Sequence, residues 1–132
     1  MKLTNETIDT INLFEAMTKS KVKNCYINKN ILFIVNEGQA GKTIGKHGIK
    51  IKRLSFMFKK KIRVVEFNKN PEKFVENLIY PLQAEITRND NAIIIKAHDI
   101  KTKGLLIGRE RQNLKKLNKI VAEYFDNNVV VQ

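Results

Sequence analysis

The chain has 132 residues, 42% of them hydrophobic, and its 25 Lys and Arg against 13 Asp and Glu give a net charge of +12. That length suits one domain or two very small ones, and the apolar content can supply a core, so a disordered chain is excluded. The longest unbroken apolar run, Ile31 to Val35, is far too short to span a membrane, and one cysteine, Cys25, excludes an internal disulfide.

Charge is unevenly spread. Residues 1–66 hold 14 basic and 5 acidic side chains, a net of +9, whereas residues 67–132 hold 11 and 8, a net of +3. Within the first half, residues 42–63 contain nine basic side chains and no acidic one. Such a patch attracts nucleic acid or an anionic surface, and the lack of a long apolar segment favours nucleic acid over membrane. The polar N-terminus with Glu6 and Asp9 does not resemble a signal peptide, so a soluble, cytoplasmic protein is expected. Cys25, His47 and His98 do not form a spaced ligand set, so no metal and no cofactor is expected.

In chain order, residues 4–18 are predicted helical, with Thr4 or Asn5 as the cap and Ile8, Ile11, Phe14 (or Leu13) and Met17 on the buried side. Strands follow over about 22–28 and 31–35, joined by an Asn28-Lys29-Asn30 turn, and residues 36–41 read as a loop. A helical turn near 41–44 leads to Gly45-Lys46-His47-Gly48, after which a helix runs to about Phe58 with Ile51, Leu54 and Phe58 inward. Residues 61–67 read as a strand. The order then restarts. Pro71 opens a helix that ends before Pro81, strands cover 83–88 and 92–97 around an Asn89-Asp90-Asn91 turn, and a short helix lies near 101–107. A long helix follows, with Leu114, Leu117, Val121 and Tyr124 or Phe125 inward, and residues 129–131 close as a strand.

The two halves align at an offset of 63. Gly41, Ile44, Gly45, Lys46, Ile51, Lys52, Arg53 and Leu54 fall on Gly104, Ile107, Gly108, Arg109, Leu114, Lys115, Lys116 and Leu117. Matching glycines, apolar positions and basic positions together indicates an internal duplication. Glycine at a loop permits positive φ and close approach of a ligand to the backbone, and a helix starting after Gly48 would point free N–H groups and a positive dipole end at an anion.

A unit of helix, two strands, two helices around an Ile-Gly-basic-x-Gly loop and a closing strand resembles the KH domain, in its type II prokaryotic order. The KH domain is an RNA-binding module whose GxxG loop clamps about four nucleotides of backbone. The tandem arrangement, with GKTIGKHGIKIKRLSFMFKKKIRVVEF in its first copy, resembles the KH pair of the NusA transcription factors in their short archaeal form, and the chain has room for neither of the further domains that bacterial members add. The expected fold class is α/β (α+β), with a first KH domain over 1–67 and a second, of degenerate GxxG, over 68–132, each a three-stranded sheet backed by helices.

The resemblance implies a non-enzymatic factor that binds single-stranded RNA, the nascent transcript, during transcription elongation or termination. It allows for contact with RNA polymerase, and a monomer is expected. Carried over by position, Gly45, Lys46, His47 and Gly48 form the clamp, Ile44 and Ile51 flank it, and Lys42, Lys50 and Arg53 add phosphate contacts. Ile51 and Val64 serve core packing as readily as base contact. The second site, Gly108-Arg109-Glu110-Arg111, lacks the closing glycine, and Glu110 adds a repulsive charge that Arg109, Arg111, Lys115 and Lys116 would offset. The first repeat is therefore expected to grip RNA strongly, while the second contributes weakly or serves as a protein-docking surface. Ribosome assembly or RNA processing is the alternative within the same fold. Gly41-Lys42-Thr43 imitates the end of an NTPase phosphate loop, but Asn36 stands where the earlier glycine is required. A helix-turn-helix DNA binder fits poorly with strands on both sides of the helix pair.

Overall fold

The repeat governs the architecture at every level. The structure, a computed structural model, describes residues 4–132. Met1–Leu3, the first positions of the expected first domain and of the signal-peptide reading, lie outside the described residues. The chain divides into two compact units, 1–68 and 69–132.

In the first unit, helix α1 spans Asn5–Thr18, with Thr4 as N-cap accepting the Thr7 N–H at 3.1 Å. Strands β1 (Val22–Ile27) and β2 (Ile31–Val35) form an antiparallel hairpin. Helices α2 (Ala40–Ile44) and α3 (Ile49–Phe58) make the crossover that returns the chain to β3 (Ile62–Glu66), parallel to β2. Parallel pairing demands such a connection, and here the connection holds the glycine loop. The helix α2 begins at Ala40, inside the stretch expected to be loop.

The core joins Phe14 of α1, Cys25, Ile31, Phe33 and Val35 of the sheet, and Leu54 of α3. Phe14 stacks on Phe33 with ring centroids 3.8 Å apart. Burial pushes the Cys25 thiol up to about 11, with the charge of Glu6 adding to the effect. The buried side of α1 differs from the expected stripe, because Ile8 is exposed whereas Thr10 and Thr18 are buried with Phe14. The Thr18 hydroxyl donates to the Phe14 carbonyl at 2.8 Å, so its burial leaves no donor unpaired.

The second unit repeats the order with α4 (Pro71–Ile79), β4 (Ala84–Asn89), β5 (Ala92–Ala97), α5 (Ile100–Ile107), α6 (Gln112–Ala122) and β6 (Asn128–Val131). Its sheet runs β4-β5-β6, with β5 antiparallel to β4 and parallel to β6. Phe74, Val75, Ile93, Ile95 and Val121 are fully buried. The expected long helix stops at Ala122, so Tyr124 and Phe125 lie beyond its end. They still reach the interior, Tyr124 meeting Phe74 edge-on at 5.7 Å and Phe125 lying 6.0 Å from the same ring.

Candidate nucleic-acid interface

Between α2 and α3 the backbone makes one tight bend. Gly45 (φ 76°, ψ 175°) ends α2, a single 3₁₀ turn spans Lys46–Gly48, and His47 (φ 56°) and Gly48 (φ 69°) are both left-handed. The Gly48 N–H closes the turn onto the Gly45 carbonyl at 3.2 Å. The second unit repeats these dihedrals within a few degrees. Gly108 has φ 75°, ψ 172°, Glu110 has φ 54°, and Arg111 has φ 63°.

That coincidence explains which glycine the second loop keeps. The conformation of Gly45 and Gly108, positive φ with ψ near 180°, is open essentially to glycine alone. A Cβ on Gly108 would come within 2.6 Å of Asn113 Cγ, and one on Gly45 within 3.0 Å of Lys50 Cγ. Gly48 and Arg111 sit instead in the left-handed helical well, which costs an L side chain roughly 1–2 kcal/mol but admits it, and a Cβ on Gly48 meets nothing within 4 Å. Arg111 thus holds the first loop's shape without glycine.

A second device is shared. The Lys50 ammonium reaches back across the bend to the Lys42 carbonyl at 3.2 Å, and at the equivalent place the Asn113 amide donates to the Leu105 carbonyl at 2.8 Å. These side chains tie the start of the second helix to the end of the first. Sequence reasoning assigned Lys50 to phosphate and passed over Asn113, since a clip through a carbonyl leaves no signal in residue type.

Of the residues expected at the first site, Lys42, Ile44, Lys46, His47 and Arg53 are exposed, Gly45, Gly48 and Lys50 are half-buried, and Ile51 is half-buried against the core together with Val64. Among the described residues no acidic side chain pairs with Lys46, His47, Lys52 or Arg53. Loop N–H groups, the start of α3 and unneutralised cations therefore meet at one place. In the second unit Arg109, Glu110, Arg111 and Lys115 are exposed and Gly108 is half-buried. Arg111 and Lys115 line a groove of about 450 Å³ with Ile107, Leu114, Asn118 and the β6 residues Val129–Val131.

Asn118 organises that groove. Its amide accepts the Val129 N–H at 2.7 Å and donates to the Val129 carbonyl at 3.0 Å, so one side chain satisfies both edge-facing groups of this strand residue. A polar residue inside the inward stripe of α6 was the signal that sequence reasoning missed. Position 55 in the first unit is Ser55, whose hydroxyl donates to the Lys60 carbonyl at 2.8 Å.

The imitation of an NTPase loop has a different use. Thr43 is fully buried and its hydroxyl donates to the Gln39 carbonyl at 2.7 Å, while the Ala40 N–H at the start of α2 donates to the Glu66 carboxylate at 3.2 Å. The N–H at the start of that helix is therefore already taken by a carboxylate. Among the described residues no group of three or more His, Cys, Asp or Glu could hold a metal ion, and no helix is long and apolar enough to cross a membrane.

Two sheets, each backed by helices and each presenting the same bend between its helix pair, define a tandem KH architecture. A KH domain model matches residues 10–80. The chain is 30% identical over 130 residues to the probable transcription termination protein NusA of Methanocaldococcus jannaschii, covering 94% of this chain and 70% of that one. It is 28% identical over 134 residues to the protein of the same name from Thermoplasma acidophilum, covering 96% and 91%. The crystal structure of APE1850 superposes with a TM-score of 0.74 at 27% identity, covering 98% of this chain and all of that one. The chain belongs to the KH-domain family, in its archaeal NusA-like group.

Proposed function

We propose that this protein binds single-stranded RNA as a non-enzymatic cytoplasmic factor and acts on the nascent transcript during transcription elongation or termination. The observation that carries this reading is the Gly45–Gly48 bend, which offers exposed Lys46 and His47 beside the start of α3 within a segment, 42–63, of nine cations and no acid. Loop N–H groups and Lys46 hold the phosphates, with Lys42 and Arg53 adding long-range attraction and Lys50 bracing the bend. Ile44, 40% exposed, and the half-buried Ile51 offer an aliphatic surface for bases beside the clamp. The second unit contributes through Arg109, Arg111 and Lys115, against the opposing charge of Glu110, and therefore binds more weakly. The names of the relatives support the assignment to transcription, and contact with RNA polymerase follows from the same reading.

Crosslinking the protein to RNA in cells and sequencing the attached RNA tests this directly. Enrichment of nascent transcripts is expected. Recovery of mature ribosomal RNA instead would move the protein to ribosome assembly, and recovery of no RNA would remove the reading altogether.

A further inference from the structure

Helix α3 has an outer face that the clamp does not use. Its inward residues are Ile51, Leu54 and Phe58, so Phe56 lies on the opposite side of the helix and contributes nothing to the core; it is 84% exposed, with Met57 and Ile49 about half exposed beside it. These three, with Met17 of α1 and the cations Lys52 and Arg53, line a shallow groove of about 350 Å³. A cluster of exposed apolar side chains on one face marks an interaction surface more often than a single one does.

The internal repeat shows that the fold does not require this surface. At the positions equivalent to Ile49 and Phe56 the second unit has Gln112 and Lys119, while Lys52 and Arg53 are matched by Lys115 and Lys116. The cations are common to both units, whereas Ile49 and Phe56 are apolar in the first alone; Met57 is matched by Ile120, which the second unit buries. Lys52 lines the Phe56 groove, and its counterpart Lys115 lines the groove beside the second unit's bend. Among the described residues no acidic side chain lines the groove, and the neighbouring Glu15 is turned toward β1, where its carboxylate accepts the Val22 N–H at 2.8 Å.

We propose that this face extends the RNA path. A strand held by the Gly45–Gly48 clamp continues along α3, Lys52 and Arg53 hold its phosphates, and Phe56 stacks on a base beyond the clamped nucleotides. The charge decides the occupant. A segment with nine cations and no acid favours a polyanion over an apolar protein partner, and an exposed aromatic ring among cations is what single-stranded nucleic acid stacks on. The inference rests on the clamp reading and adds a second contact on the same strand.

The test measures equilibrium binding of the full chain to mixed-sequence single-stranded RNA of about 6 and about 12 nucleotides, the shorter just exceeding the roughly four that a clamp holds. Phe56→Ala is expected to weaken binding of the longer RNA at least about fivefold, in line with the loss of one base–aromatic stack, and to leave the shorter one unchanged. Phe56→Trp retains the affinity and Phe56→Leu does not. The chain has no tryptophan, so the indole introduced by Phe56→Trp reports stacking through quenching of its emission by the longer RNA alone. Lys46→Asp/His47→Asp weakens both RNAs, which separates failure of the clamp from failure of the extension. An unaltered affinity in Phe56→Ala with the clamp variant impaired would overturn the proposal, as would full function of Phe56→Leu. Concentration-dependent dimerisation that Phe56→Ala abolishes would overturn it too, by giving the face to a second copy.

Discussion

At the scale of single residues, the two bends differ where the backbone can bear it. Gly45 and Gly108 occupy a conformation reserved for glycine, and the second unit keeps glycine there; Gly48 occupies one that other residues enter, and the second unit has replaced it with Arg111. Gly45→Ala is accordingly expected to cost roughly 2–3 kcal/mol, and Gly48→Ala about 1 kcal/mol. In the opposite direction, Arg111→Gly gains back strain and loses chain entropy of similar size, so its net change should be within about 0.5 kcal/mol. Urea denaturation midpoints measure all three, and a Gly48→Ala cost equal to that of Gly45→Ala would contradict the assignment. The paired glycines were legible in the sequence. That the first is obligatory and the second optional was not, because only the dihedral angles separate them.

At the scale of elements, each unit closes its sheet with a strand that must be held at an exposed edge. The Asn118 amide does this for β6 by pairing with both backbone groups of Val129. Asn118→Ala should therefore destabilise the second unit by about 1–3 kcal/mol and speed amide hydrogen exchange in β6, with β4 less affected. Exchange in β6 no faster than in the unaltered protein would show that parallel pairing to β5 suffices. The order of helices and strands was readable from periodicity and turn residues, and so were the strand limits to within one residue. The departures have a common cause. Thr10 and Thr18 turn inward because a helix hydroxyl can satisfy itself on its own backbone, as Thr18 does on Phe14. Tyr124 and Phe125 satisfy the inward stripe although α6 has ended, since a turn can deliver rings to Phe74 as well as a helix can. Partners distant in sequence, such as Glu66 at the start of α2, leave no local pattern at all.

At the scale of the whole molecule, the duplication and the charge asymmetry act together. One fold is used twice, with cations concentrated on the copy that retains both glycines, +9 against +3 across the two halves. The repeat was visible because glycine, apolar and basic positions recur together, and it located the candidate site before any geometry was known. The bracing of the bend by Lys50 and Asn113, and the exposed ring of Phe56, emerged only from the folded chain. Whether the asymmetry between the copies is functional is most directly measured by equilibrium binding of single-stranded RNA to Lys46→Asp/His47→Asp and to Arg109→Asp/Arg111→Asp at one fixed salt concentration. The first variant is predicted to lose at least about tenfold in affinity, equivalent to about 1.4 kcal/mol, and the second distinctly less. Equal losses would contradict the primacy of the first bend, and undiminished binding in both would contradict an RNA clamp at either.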